Sequence, residues 1–226
     1  MGTDHYFSAI PRSDAALRGI RVHLADRDVE LVTSAGVFSS DRLDHGTRIL
    51  LESVPPPPVT GNLLDLGCGW GPIALSLAMR SPDATVWAID TNERALELTR
   101  RNAARLELAN VRAARPEDVP DDIRFATIWS NPPIRVGKIE LHGMLRRWLP
   151  RLLSHSGADA GADTVTTGSS AWFVVAKQLG ADSLQRWLTE DLGLTVSRPR
   201  QNKGYRILRV VGPAVPCSSP SPTPSA

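Results

Sequence analysis

Leu63-Leu64-Asp65-Leu66-Gly67-Cys68-Gly69-Trp70-Gly71-Pro72 is a short apolar strand running into a glycine-rich turn, with proline where the first turn of a helix tolerates it. Alternate glycines let backbone N–H groups approach a ligand that side chains would obstruct, and they take positive φ without strain. Ile73 to Arg80 reads as the helix that follows, Ser81-Pro82-Asp83 as its stop, and Thr85 to Ile89 as a second strand. Asp90 ends that strand 23 residues after Gly67, close to the ~20-residue spacing at which an acid accepts hydrogen bonds from ribose hydroxyls. Strand, turn, helix, strand and acid together describe an adenosine-cofactor site, with Gly67, Cys68, Gly69, Gly71, Asp90 and the adjoining Thr91 as its residues.

Working outward, Asn92 can cap a long helix reaching Leu108, with Ala95, Leu98 and Leu106 on one side. Val111 to Ala114, Phe125 to Ser130 and Ala171 to Ala176 supply further strands, and this alternation predicts an α/β fold with a doubly wound, mostly parallel sheet. Between the last two, Ile139 to Leu153 reads as a helix kinked or restarted at Pro150. Asp182 with Gln185 resembles a capping box, and Leu194 to Ser197 with Tyr205 to Val211 reads as a closing hairpin. Upstream, Ile20 to Leu24 and Val29 to Thr33 form an N-terminal hairpin, followed by a short helix over Gly46 to Ser53 and a stiff Pro55 to Pro58 link. The expected organisation is an extension over 1–54, a catalytic domain over 59–212 carrying a polar insertion at 158–170, and a Pro/Ser tail over 213–226. Insertion and tail are expected to lack a core.

The chain of 226 residues is 42% hydrophobic with a net charge of +2, enough for one α/β domain and too weakly basic for a non-specific nucleic-acid binder. Its two cysteines, Cys68 and Cys217, exclude a disulfide framework, and the five histidines show no metal-ligand spacing, so no metal is expected. The N-terminal residues do not read as a signal peptide and no long apolar run occurs, which fits a reducing cytosol and no membrane. The spacing Gly-x-Gly-x-Gly departs from the dinucleotide fingerprint, and Asp65 would repel a pyrophosphate yet attract the ammonium of a methionyl group. S-adenosylmethionine is therefore favoured over NAD.

Asn131-Pro132-Pro133-Ile134 follows the fourth strand. It sets a side-chain amide oxygen and a rigid carbonyl together, able to accept both hydrogens of a planar amino group. In isolation such a segment is a chain reversal; after the fourth strand of a cofactor-binding pattern it is a candidate catalytic motif. Ile134 can pack against a base without aromatic stacking, which leans toward guanine N2. Arg135, Lys138, Lys203 and Arg206 are candidate phosphate contacts. Arg146, Arg147 and Arg151 read as a solvated helix face, and Trp70 as the one tryptophan beside the cofactor.

Leu64 to Gly71, Asp90 and Asn131 to Ile134 resemble the class I S-adenosylmethionine-dependent methyltransferases acting on exocyclic or amide nitrogens. Including His5-Tyr6-Phe7-Ser8, Gly36-Val37-Phe38-Ser39, Leu43-Asp44-His45-Gly46-Thr47, Lys177 to Ala181 and Lys203-Gly204-Tyr205-Arg206, the chain is similar to the single-domain form of the small-subunit ribosomal RNA guanine-N2 methyltransferases of the C type. The resemblance implies a seven-stranded Rossmann-like sheet with one antiparallel strand, the methionyl part of the cofactor over Gly67 to Gly71, and Asp90 on the ribose. It also implies Phe38 to Thr47 as cover, Glu117 or Asp118 near the adenine, Asn131 at both cofactor and amine, and ribosomal RNA or the small subunit as partner. Methylation of a protein glutamine amide or adenine N6, and a non-catalytic RNA-binding assembly factor, are the alternatives.

Overall fold

A computed structural model describes residues 16–153, 155–156, 169–202, 204–212 and 214–215. Strands β1 (Arg18–Leu24) and β2 (Arg27–Thr33) pair antiparallel through a tight turn in which Ala25 and Asp26 both take positive φ, 46° and 62°, the primed geometry whose twist matches its strands. Then come α1 (His45–Ser53), β3 (Thr60–Leu66), α2 (Pro72–Arg80), β4 (Asp83–Ile89), α3 (Glu93–Arg105), β5 (Val111–Ala114), β6 (Thr127–Ser130) and α4 (Lys138–Trp148). The two-residue β7 (His155–Ser156), β8 (Ser170–Ala176), α5 (Ala181–Glu190), β9 (Val196–Asn202), β10 (Tyr205–Val211) and β11 (Ala214–Val215) complete the order.

The main sheet has seven strands in the order β5-β4-β3-β6-β8-β10-β9. β3 pairs parallel with both β4 and β6, β4 with β5, and β6 with β8, whereas β10 runs antiparallel to both β8 and β9. Successive side chains of a strand leave opposite faces, and here each face meets its own core. Leu63 and Trp129 pack with α1, α2, α3 and the hairpin; Leu64, Leu66 and Ile128 pack with α4 and α5. Burial on both faces explains why these strands read as nearly continuous apolar runs.

Three local readings are corrected, and the break expected at Pro150 is observed. α3 stops at Arg105, because Glu107 takes φ of 58° and the Leu108 and Glu107 N–H groups bond back to the carbonyls of Ala103 and Ala104, a Schellman closure built on glutamate rather than glycine. α4 ends at Trp148 and continues as a 3-10 turn, Leu149–Arg151, around Pro150. No capping box opens α5: its cap is Gly180 at φ of 101°, and Asp182 pairs instead with Arg198 at 2.7 Å. β9 begins at Val196 and runs through Pro199, which an edge strand accommodates because one side needs no donors. The 158–170 insertion and the tail beyond 212 lie outside the described residues except for Ser169, Ser170 and β11.

The hairpin is locked to the sheet by the buried Asn102 of α3. Its amide oxygen accepts the Val32 N–H at 2.8 Å, and its nitrogen donates to the carbonyls of Val32 and Trp70, both at 2.9 Å. One side chain thus completes the free edge of β2 and ties it to the glycine turn. Asn102→Ala strands three backbone groups and should lower stability by at least about 3 kcal/mol, at about 1–3 kcal/mol per buried group left unmade. The urea midpoint measures this; an unchanged midpoint would contradict the assignment.

Candidate active site

β3 and β6 end side by side, and the cleft opens above them, about 1030 Å³ in volume. One wall is Gly67 and Gly69, with Asp90, Thr91 and Asn92 after β4; the opposite wall is Asn131 to Ile134 with α4 residues Leu141, Met144, Arg147 and Trp148. The two motifs, 64 residues apart in sequence from Gly67 to Asn131, are held together at close range. The Ser130 hydroxyl donates to the Leu66 carbonyl at 2.6 Å, and a Cβ placed on Gly67 would stand 3.8 Å from Pro133 Cδ.

The glycine turn is shaped by its anchors. Gly67, Gly69 and Gly71 take φ of 82°, 57° and 97°. Gly67 and Cys68 donate to the Ile89 carbonyl at 2.8 and 3.0 Å, while the Asp90 carboxylate accepts the Gly69 N–H at 3.0 Å and the Asn92 N–H at 2.9 Å. Gly71 is also the cap position of α2 and does not line the cleft; a Cβ there would meet Thr99 Oγ1 at 3.0 Å. Asp90 lines the cleft with a pKa raised by desolvation against its backbone donors, and each oxygen retains lone pairs for a ligand hydroxyl.

Asp65 is placed differently from the sequence reading. It is fully buried on the α2 side of β3, beneath the turn, and does not line the cleft. One oxygen accepts the Ala74 N–H at 2.9 Å, capping α2 from nine residues upstream because Gly71 has no side chain to do so. The other has no partner among the described residues. Burial, opposed by the Ala74 donor and reinforced by Asp90, pushes its pKa up to about 8. A cationic ligand group above the turn fits this environment, since it favours the charged carboxylate. Cys68 is buried and its thiol pKa is raised by burial and by both aspartates, so it is a small packing residue rather than a thiolate.

At the second wall, the Asn131 amide nitrogen donates to Asp44 Oδ2 at 2.8 Å and Thr47 Oγ1 at 3.0 Å. A carboxylate only accepts, so Asp44 decides which end of the amide faces it and turns the oxygen the other way. That oxygen accepts nothing among the described residues. The Pro132 carbonyl accepts the Ile134 N–H at 2.8 Å around Pro133 at φ −74° and ψ 71°, an inverse γ-turn that fixes its direction and leaves its second lone pair. Asp44 also caps α1 through the Thr47 N–H at 3.0 Å.

Other sequence candidates fall outside this assembly. Glu117 is exposed beside Arg115 at 3.3 Å, and only Pro116 of its 3-10 turn reaches the cleft. Lys138 is exposed at the start of α4 and Arg206 is half-buried on β10; neither lines the cleft. The side chain of Arg135 and the whole of Lys203 lie outside the described residues. Trp148 lines the cleft, whereas Trp70 is buried and donates to the Ser39 carbonyl at 3.1 Å. Arg146 and Arg147 are exposed as read, although Arg147 also lines the cleft and donates to the Pro116 carbonyl, whereas Arg151 is buried over the rings of Phe125 and Trp148. Asp44, Thr47, Ser130, Trp148 and Tyr205 escaped a motif-by-motif reading; a resemblance quoted across Leu43 to Thr47 was the one available signal for the first two.

A proton held by Asp65 in the folded chain, with an ordinary pKa of 3.8 and a folded value of about 8, stabilises the fold below the lower value and is lost as pH rises through the upper. The melting temperature of the ligand-free protein should therefore fall between about pH 4 and pH 8. Asp65→Asn, which keeps the Ala74 acceptor, should flatten this dependence; parallel profiles for the two proteins would refute the assignment.

The profile of the methyltransferase small domain family matches residues 28–209. The uncharacterised protein YbxB of Bacillus subtilis is 34% identical over 210 residues, covering 92% of this chain and 98% of that protein. The ribosomal RNA small subunit methyltransferase C of Ectopseudomonas mendocina is 37% identical over 131 residues, 57% of this chain and 39% of its own length. Among solved structures, the 16S rRNA N2 methyltransferase of T. thermophilus, in complex with AdoMet and guanosine, superposes with a TM-score of 0.70 at 21% identity, over 87% of this chain and 50% of that one. That likeness is one of fold. The chain spans 98% of the B. subtilis relative but about two fifths of the E. mendocina enzyme.

Proposed function

The chain belongs to the methyltransferase small domain family, and on that premise we propose that it methylates an exocyclic amine of ribosomal RNA, with guanine N2 of the small subunit as the acceptor. It is an S-adenosylmethionine-dependent methyltransferase. The observation that carries the acceptor reading is the orientation of Asn131, whose nitrogen is held by Asp44 and Thr47.

When bound, S-adenosylmethionine supplies a methyl group on a sulfonium, already activated for displacement. The residues that would hold it are the Gly67 to Gly69 turn and Asp90, with the buried Asp65 carboxyl favouring its positive groups from below. What remains for the protein is to place a nitrogen in line with that methyl group and to stabilise the charge the nitrogen gains. A purine amino group is conjugated with its ring and is a weak nucleophile. Two acceptors, the Asn131 amide oxygen and the Pro132 carbonyl, take its two hydrogens and draw the nitrogen toward tetrahedral geometry. These acceptors strengthen as the nitrogen becomes positive, so they bind the transition state more tightly than the free base. Pro132 and Pro133 carry no N–H to compete, and the γ-turn holds the carbonyl in place. A base within a helix has to be flipped out to reach this position. RNA as substrate is supported by the E. mendocina relative, and guanine N2 by the absence of an aromatic residue after Pro133.

Asn131→Ala should reduce methyl transfer to unmodified small-subunit ribosomal RNA by about a hundred- to a thousandfold, the usual cost of one electrostatic contact in a transition state, while calorimetry still registers adenosylhomocysteine. Nucleoside analysis of the product RNA names the base and atom; methylation confined to ribosomal protein would refute the reading. Asp44→Asn keeps a competent helix cap but no longer fixes which end of Asn131 faces it. Turnover should drop about ten- to a hundredfold, the worth of a charge-assisted hydrogen bond, with the urea midpoint unchanged.

A further inference from the structure

A second cavity of about 550 Å³ lies beside the mouth of the main cleft, walled chiefly by Phe38, Arg42, His45, Arg48 and Tyr205. It shares Phe38, Asp44 and Tyr205 with the main cleft. The two are therefore compartments of one opening, divided where Asp44 grips Asn131. We infer that this cavity binds the nucleotide adjoining the target base in a single-stranded stretch of RNA, its base against the rings and its phosphate on Arg42 and Arg48. The inference rests on the RNA reading above and deepens it.

Three observations support this. First, the wall is built rather than incidental. His45 and Tyr205 meet edge to face at 5.5 Å, and Tyr205 packs tightly against the start of α1 at Gly46, where a Cβ would stand 3.0 Å from its ring. Phe38 adds a face that is 44% exposed. Rings of this kind stack on any base, since every base has a π-face.

Second, the cations are uncommitted. Arg21, Arg100, Arg101, Arg115 and Arg198 are spent on carboxylates. Arg42 and Arg48 are exposed and form no ion pair among the described residues. Of the two acids in the wall, Asp44 is occupied by the Asn131 amide and the Thr47 N–H. Asp44 keeps its charge, so the two guanidinium groups share the wall with two carboxylates, and neither guanidinium is paired with one among the described residues.

Third, the position is where a strand has to pass. An extruded base held at Asn131 leaves its backbone at the mouth of the main cleft, and the neighbouring nucleotide then meets the adjoining compartment. Of the four phosphate candidates read from sequence, Lys138 and Arg206 line neither compartment, and the Arg135 side chain and Lys203 lie outside the described residues.

The test compares wild type with the Arg42→Ala/Arg48→Ala double variant, using a fluorescently labelled single-stranded fragment of small-subunit ribosomal RNA over a range of salt concentrations. Loss of two phosphate contacts should weaken binding about ten- to a hundredfold at low salt. The slope of log affinity against log salt should become shallower by roughly 0.7, the value for the one single-strand phosphate held there. Adenosylhomocysteine affinity reports the integrity of the fold, and Arg42→Lys/Arg48→Lys should restore the slope because the charges return. An unchanged slope in the alanine variant, with the wild type methylating RNA, overturns the subsite alone. A wild type that methylates no RNA overturns the functional reading and the subsite with it.

Discussion

β3 is hydrogen-bonded along both edges, to β4 on one side and β6 on the other; the chain runs outward from it through β4 to β5 and then crosses back to β6 on its other side. Connections that diverge in this way cannot both cover the carboxyl end of the central strand, so a crevice opens there. The proposed cofactor and amine contacts hang on its two rims. The glycine turn follows β3 and Asp90 follows β4; Asn131 follows β6. The Ser130 hydroxyl on the Leu66 carbonyl, and the close approach of Pro133 to Gly67, set the width of the crevice at its base, so turn and acceptor move as one body.

The carboxylates around the glycine turn place a constraint on what enters. Asp65 and Asp90 are both engaged by backbone N–H groups, and the Asp90 charge adds to the cost of charging the desolvated Asp65. A pyrophosphate brought to this turn would add negative charge to a site that already holds more than it can solvate. A ligand with a cationic centre does the reverse, letting the buried carboxyl ionise at neutral pH. The departure of the loop from the dinucleotide fingerprint and the burial of Asp65 thus point the same way, although Asp65 acts from beneath the turn and through the end of α2 rather than as a wall of the cleft.

Much of this was legible in the sequence because it is local. Period-two burial in the hairpin, glycine at strained φ, proline at the first turn of α2 and the acid after β4 all announce themselves within a few residues. The ends of α3 and α5 did not, since a Schellman closure on Glu107 and a glycine cap at Gly180 are chosen by backbone geometry that carries no distinctive side chain. Arg151 was misread for a related reason. Helical spacing counts a charged residue as surface, but a guanidinium whose flat faces lie on Phe125 and Trp148 and whose Nε and Nη2 groups donate to carbonyls can be buried. The cleft's wall on α4 was likewise hidden, because Met144 and Trp148 look like core until the crevice beside them is known.

The Asn-Pro-Pro-Ile segment shows where motif reading ends. Four residues fix a chain reversal and a carbonyl direction, yet an amide can present either of its ends to a ligand, and nothing in the segment chooses between them. The choice is made by Asp44, 87 residues upstream, whose carboxylate accepts and cannot donate. That residue is positioned by α1 and by the clasp of the N-terminal region on the cofactor loop: Trp70 to Ser39, Asn92 to Gly36, Asn102 to Val32. On the proposed function, the extension therefore orients the amine acceptor as well as covering the cleft. Loosening it would free the glycine turn and the acceptor amide together, so ordering the cofactor site and selecting the amine-binding face of Asn131 are one structural event.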